Sequence, residues 1–165
     1  MRLFSLGILV FAAVAQGAGF LPGQRVLLDA HNCYPYTGMW SDRIDRALSA
    51  GTPVAIEQDL VWYTDEATGQ SWSMVAHGKP FNGKEPTMKA YVFEHIRPIV
   101  EAALAGGDTT NWPLVTLNLD FKDDTPAHVE AVWNLLGEYE DWLTTAVRTA
   151  DEGAVSALTV GPVLV

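Results

Sequence analysis

The chain has 165 residues, of which 48% are hydrophobic and 18% are charged, and its formal net charge is -10. This acidity argues against nucleic acid and anionic membrane surfaces as partners, because both repel a negatively charged protein. A single cysteine, Cys33, excludes an intramolecular disulfide. Stability must therefore come from an apolar core or from bound ligands, and the composition does not indicate an oligomeric state.

The first 15 residues are typical of a secretory signal peptide. Arg2 precedes a short apolar core, and Ala13-Val14-Ala15 matches a cleavage site. The apolar core is shorter than the roughly 20 residues that span a bilayer, and no later stretch reaches that length. We therefore expect residues 1–15 to be removed and residues 16–165 to form a secreted or periplasmic domain without a transmembrane segment.

Short apolar runs alternate with helix-like segments along the rest of the chain, which is typical of a parallel sheet. Five strands are predicted, over residues 25–31, 54–62, 73–77, 114–122 and 157–165. Helices are predicted to begin near Ser41, after Glu85 and at Thr125, where the types of residue suit helix N-termini. Pro98 is expected to kink or split the second helix.

This order of elements predicts an α/β fold of the (β/α) TIM-barrel type. A complete barrel has about 250 residues, or roughly 31 for each of its eight units, so the domain has room for about five units. A doubly wound open sheet is the alternative. It would leave the apolar final strand at an exposed edge, which natural proteins avoid. We therefore expect an incomplete barrel from a reading frame cut short.

Polar residues interrupt the apolar strands near the ends that are expected to meet at one edge of the sheet. Glu57 and Asp59 lie two apart in the second strand, so they point to the same face about 6.6 Å apart. His31 ends the first strand and His77 the third. The fourth strand alternates, with Asp120 and Lys122 on its polar face. In parallel α/β folds the carboxyl edge of the sheet forms the active site.

These residue types favour phosphodiester cleavage. The carboxylates of Glu57, Asp59 and Asp120 are hard oxygen ligands that suit Ca²⁺ or Mg²⁺. His31 and His77 are candidate general acid and base near neutral pH. A cation together with Lys122 would stabilise charge that develops on phosphoryl oxygens.

The pattern His31-Asn32, Glu57-Gln58-Asp59, His77 and Leu117-Asn118-Leu119-Asp120-Phe121-Lys122 resembles the glycerophosphodiester phosphodiesterases and the wider phospholipase C-like phosphodiesterases. The resemblance covers residues 25–122. It implies a β/α barrel in which His31 and His77 are catalytic, Glu57 and Asp59 bind metal, and Asp120 and Lys122 supply a further ligand and a cation. It also implies that Asn32 and Lys122 contact the substrate.

Two departures bear on the substrate. The glycerophosphodiesterases have Arg after the first histidine and Asp after the second, where this chain has Asn32 and Gly78. Asn beside the first histidine is more similar to eukaryotic phospholipase C-like members. The substrate is expected to be a small-molecule or lipid-headgroup phosphodiester. A metal-independent phosphoinositide-type phospholipase C, and a non-catalytic binding domain or inactive fragment, remain alternatives.

Overall fold

A computed structural model describes residues 27–36, 39–151, 154 and 156–165. The predicted signal peptide and the start of the first predicted strand lie outside these residues. The elements in chain order are β1 (Leu28–Ala30), α1 (Arg43–Ser49), β2 (Val54–Thr64), β3 (Ser71–Val75), α2 (Glu94–Gly106), β4 (Val115–Phe121), α3 (Pro126–Gly137), β5 (Thr145–Ala146), β6 (Leu158–Thr159) and β7 (Val163–Leu164).

The main sheet is largely parallel, and its strand order is β1-β2-β4-β7. Each of these strands pairs in parallel with its neighbour. The longest register joins β2 to β4, from Val54 opposite Val115 to Leu60 opposite Phe121. The predicted α/β class with a mainly parallel sheet is confirmed.

The prediction of a third parallel strand is wrong, because β3 pairs antiparallel with the second half of β2. Only six residues, 65–70, connect the two strands, whereas a parallel crossover needs a dozen or more. Asp65 closes the turn by accepting hydrogen bonds from Ala67 N at 2.9 Å and Thr68 Oγ1 at 2.9 Å. Gly69 supplies the left-handed backbone that the turn requires, with φ of 69°. The described sheet therefore has four parallel strands and not five.

The helices follow the sequence pattern closely. Thr125 is the N-cap residue of α3 and Pro126 its first residue, as predicted. Pro98 lies within α2, which continues to Gly106, so of the two predicted outcomes, a kink or a split, the split does not occur. A π-helical turn over residues 89–93 leads into α2. No helix in the described part of the chain is long and apolar enough to cross a membrane.

The two faces of the sheet differ in chemistry. Alternate residues of β2 and β4 turn into an apolar core that α1, α2 and α3 cover, and its members include Ile44, Ile56, Leu60, Val100, Leu117 and Val132. The other face carries the charged residues of the same strands. Beyond them, where the β2–β3 hairpin extends, lies a small second cluster of Val61, Met74 and Ala76.

The last predicted strand is divided at Gly161-Pro162. Leu158–Thr159 pairs with β5 in a separate two-stranded sheet, while Val163–Leu164 joins the main sheet beside β4. Gly161 passes close to another part of the backbone: a Cβ at this position would lie 2.5 Å from Leu143 O and 2.6 Å from Trp142 O. Two rigid carbonyl groups leave no space for a side chain.

Gly161→Ala is therefore expected to lower the free energy of unfolding by about 3 kcal/mol, at the upper end of the cost of overpacking. Gly137→Ala is the matched control, because a Cβ at the end of α3 meets nothing within 4 Å. Urea denaturation followed by tryptophan fluorescence measures both. A Gly161→Ala variant as stable as the control would contradict the described approach of the two backbone segments.

Candidate functional site

The register between β2 and β4 places the predicted site residues side by side on the polar face. Glu57 lies opposite Asn118, and Asp59 lies opposite Asp120. These pairs share a face because side chains alternate along both strands in step. Lys122 follows β4 by one residue and lies on the same face. A parallel sheet is normally covered on both sides, so a polar face of this kind is typical of a site.

Glu57 holds the segment that carries His31. Its Oε2 atom lies 3.0 Å from His31 Nδ1 and accepts a hydrogen bond from Asn32 N at 2.9 Å. Asn32 has a φ of 55°, in the left-handed region that asparagine tolerates better than most residues, and this turns its N–H toward the carboxylate. The Glu57 side chain is 11% exposed and that of His31 67% exposed. Glu57 thus orients a histidine that faces solvent.

Lys122 joins the two aspartates. Its Nζ atom lies 2.5 Å from Asp59 Oδ1 and 2.5 Å from Asp120 Oδ2. Burial alone would lower the pKa of Lys122, but the carboxylates of Asp120 and Asp59 outweigh burial and raise the pKa to about 12. The ammonium group stays charged at neutral pH and compensates the Asp59 side chain, which is 1% exposed.

His77 lies two residues after β3, the strand that is antiparallel to β2. The antiparallel β3 runs back along β2, and Ala76 donates its N–H to Asp59 O at 3.2 Å. His77 is therefore the next residue after a backbone contact with the site. Its ring stacks on Tyr34, with centroids 5.9 Å apart. The structure thus places His31 beside a carboxylate of β2, whereas the side-chain contact that it shows for His77 is with Tyr34.

The donor set suits a hard cation only in part. Three carboxylates share one face, and Asp59 Oδ2 is buried with no hydrogen-bond donor among the described residues, which fits the chemistry of Ca²⁺ or Mg²⁺. In the described ranges no three His, Cys, Asp or Glu side chains converge on one point. The Lys122 ammonium group instead lies between two of the three carboxylates.

Two arginines that were not predicted as site residues lie beside His31. A cleft of about 520 Å³ is lined by His31, Asn32, Arg43 and Arg46 together with apolar residues. Arg43 donates from Nη1 to Asn32 O at 2.6 Å, and its guanidinium group lies over the Trp40 ring. Their position could have been predicted from the order of elements, because the first turns of a helix that follows a β strand lie at the same end of the sheet as the carboxyl end of that strand.

Cys33 also lines this cleft but is a buried thiol. It is 2% exposed, and burial raises its pKa to about 11 despite the nearby Arg43. A thiol with so high a pKa is a poor nucleophile at neutral pH. His128, near the start of α3, is fully buried.

Comparison with known proteins adds nothing to this geometry. No protein-family model matches the chain, and no curated protein or solved structure matches it. The resemblance to phospholipase C-like phosphodiesterases therefore stays a prediction.

Lys122→Met is expected to lower the free energy of unfolding by about 3 kcal/mol in buffer with EDTA, because Asp59 would be left buried without a counter-charge. Lys89→Met is the matched control. Its ammonium group also lies 2.5 Å from a carboxylate, that of Glu138, but both partners are about half exposed, and such pairs contribute about 0–1 kcal/mol.

Urea denaturation of the two variants measures the difference. Adding Asp59→Asn to Lys122→Met should recover part of the loss, because it removes the uncompensated charge. Equal small losses in both single variants would contradict the ion-pair role given to Lys122.

Proposed function

We propose that the protein is a secreted or periplasmic phosphoric diester hydrolase that cleaves a glycerophosphodiester or a phospholipid headgroup. One observation carries the proposal. One histidine, three carboxylates and a lysine come together on the polar face of the parallel sheet, at the carboxyl edge where β/α enzymes form their active sites. The second predicted histidine, His77, directly follows Ala76, which donates its N–H to Asp59 O.

Proton transfer falls to His31 and His77. Glu57 Oε2 lies 3.0 Å from His31 Nδ1, within reach of a hydrogen bond, so Nε2 is the ring nitrogen that would exchange a proton with substrate. As the bond from the attacking oxygen to phosphorus forms, one histidine accepts the proton of the nucleophile. The other donates a proton to the alcohol oxygen as its bond to phosphorus breaks.

Positive charge at the site would bind the phosphoryl group. Arg43 and Arg46 line the cleft beside His31. A guanidinium group can donate two parallel hydrogen bonds to two oxygens of one phosphate. Glu57, Asp59 and Asp120 are the residues that would hold a divalent cation, Ca²⁺ or Mg²⁺. Such a cation, when bound, supplies charge that offsets the developing negative charge on the phosphoryl oxygens.

A TIM-type barrel is the architecture that we propose for this fold. The strand order β1-β2-β4-β7 follows the chain without reversal. A doubly wound sheet reverses its order at a switch point, whereas a barrel adds each parallel strand beside the previous one. The β2–β3 hairpin then lies at the carboxyl edge, as an extension of one barrel strand.

The position of Lys122 supports a second candidate, a metal-independent phospholipase C. Its ammonium group already lies 2.5 Å from both Asp59 and Asp120, so it neutralises two of the three carboxylates without a metal. In that reaction a hydroxyl group of the substrate attacks phosphorus and a cyclic phosphate is released. The two histidines would keep the same acid and base roles.

The test is hydrolysis of bis(p-nitrophenyl) phosphate and glycerophosphocholine. EDTA should remove the divalent cation and its charge, and Glu57→Gln should weaken the orientation of His31. Each should therefore reduce kcat/KM about 10²-fold or more. Glu130→Gln, an exposed position on α3, is the control and should leave kcat/KM unchanged. Turnover that survives both EDTA and Glu57→Gln would contradict metal-assisted catalysis.

Two further measurements separate the alternatives. A cyclic phosphate product formed in EDTA from phosphatidylinositol would favour the metal-independent reaction. Calorimetric binding of Ca²⁺ or Mg²⁺ that is lost in Asp59→Asn, with no turnover of any diester, would instead support a binding domain without catalysis.

A further inference from the structure

A second cluster of reactive side chains lies outside the proposed phosphodiesterase site. His128, the third residue of α3, is fully buried. Its Nε2 atom lies 2.8 Å from Ser73 Oγ on β3, and its Nδ1 atom lies 3.0 Å from Asp123 Oδ2. A hydroxyl, an imidazole and a carboxylate in this order and at these distances have the geometry of a Ser-His-Asp triad.

The hydrogen bonds determine the direction of proton transfer. A carboxylate only accepts hydrogen bonds, so the Nδ1 atom of neutral His128 must carry the proton that it donates to Asp123. The Nε2 atom is then the acceptor and takes its hydrogen bond from the Ser73 hydroxyl group. His128 is thereby held in the tautomer that a general base for serine requires.

Asp123 is fixed in place and ionised. Trp62 donates its N–H to Asp123 Oδ2 at 2.8 Å, and Thr125 donates its N–H to Oδ1 at 3.2 Å. Burial alone would raise the pKa of Asp123, but these bonds and the one from His128 lower it below its ordinary value. The carboxylate can therefore stabilise an imidazolium ion when His128 gains a proton.

Ser73 is placed where it can react. It is half-buried and lies on the edge strand β3 opposite Trp62. Because the N–H of Trp62 goes to Asp123, the Trp62–Ser73 pair is one that exchanges no backbone hydrogen bonds, and the N–H of Ser73 points away from β2. That N–H is a donor for a developing oxyanion next to the nucleophile.

The cluster is separate from the carboxylates of the polar face. Ser73 shares the face of Leu60 and Val75, which belong to the main core, whereas Glu57 and Asp59 point to the opposite face. Its walls are also different in kind. The rings that contact His128 are those of Trp62, with centroids 5.5 Å apart, and Phe121, at 4.9 Å.

We propose that Ser73, His128 and Asp123 form a second hydrolytic site that takes uncharged carboxylic esters. The aromatic rings of Trp62 and Phe121, which pack against His128, suit a neutral acyl group better than a phosphodiester. Ser73 Oγ bonds to the acyl carbon while its proton passes to His128 Nε2, and the proton then moves to the alcohol oxygen as the ester C–O bond breaks. Water attacks the acyl-serine in the same way, which releases the carboxylic acid and restores Ser73.

The test uses the wild-type protein with p-nitrophenyl acetate and with a fluorophosphonate, which phosphonylates activated serines. Labelling should be confined to Ser73, as located by peptide mass spectrometry, and it should abolish ester hydrolysis. The control is Ser71, on the same strand, whose hydroxyl group meets Thr64 Oγ1 at 2.8 Å and no histidine. Equal labelling of Ser71 and Ser73, or no labelling, would overturn the proposal.

Variants provide a second test that does not depend on fluorophosphonate labelling. Ser73→Ala and Asp123→Asn should each lower the rate of p-nitrophenyl acetate hydrolysis about 10²-fold or more, while Ser71→Ala leaves it unchanged. Glu130→Gln, an exposed position on α3, should also leave it unchanged. Because the substrate here is a carboxylic ester, failure of the phosphodiesterase proposal would not imply failure of this one. The proposal would be overturned by a Ser73→Ala variant that has the same urea midpoint of unfolding as the wild-type protein and keeps full esterase activity.

Discussion

The pairing of β2 with β4 is the constraint on which the rest of the molecule depends. From Val54 opposite Val115 to Leu60 opposite Phe121, the two strands send alternate side chains to the same two faces. A slip of one residue would turn Asp59 into the apolar core and expose a core side chain on the polar face. One set of backbone hydrogen bonds therefore enforces both the burial of the core and the assembly of the polar site.

Two buried polar side chains, one on each face of the sheet, have partners that compensate their charge or polarity. On the polar face Lys122 lies between Asp59 and Asp120, so a carboxylate with almost no exposure keeps a counter-charge. On the helix face buried His128 finds partners in Ser73 and Asp123. In both places a buried polar group is held by others of defined geometry, which is the condition under which such groups are tolerated and can take part in chemistry.

Long and strongly patterned segments were predictable from the sequence. The uninterrupted alternation of residues 114–122 predicted β4 and the polar face that carries Asp120, and Thr125-Pro126 predicted the start of α3. The direction of β3 was missed because periodicity reports strand character and not pairing. The short connection between β2 and β3, which contains the Thr68-Gly69 pair, is typical of a hairpin.

By itself the sequence determined where the long strands and helices lie and which of their side chains share a face, because those properties follow from periods of 2.0 and 3.6 along the chain. Only the tertiary structure decided which faces meet. Ser73 and His128 are 55 positions apart and Trp62 and Asp123 are 61 apart, and nothing in either local pattern specifies such a partner. Contacts of that kind arise when β3 folds back on β2 and α3 packs over it, so they depend on the summed burial of the whole core.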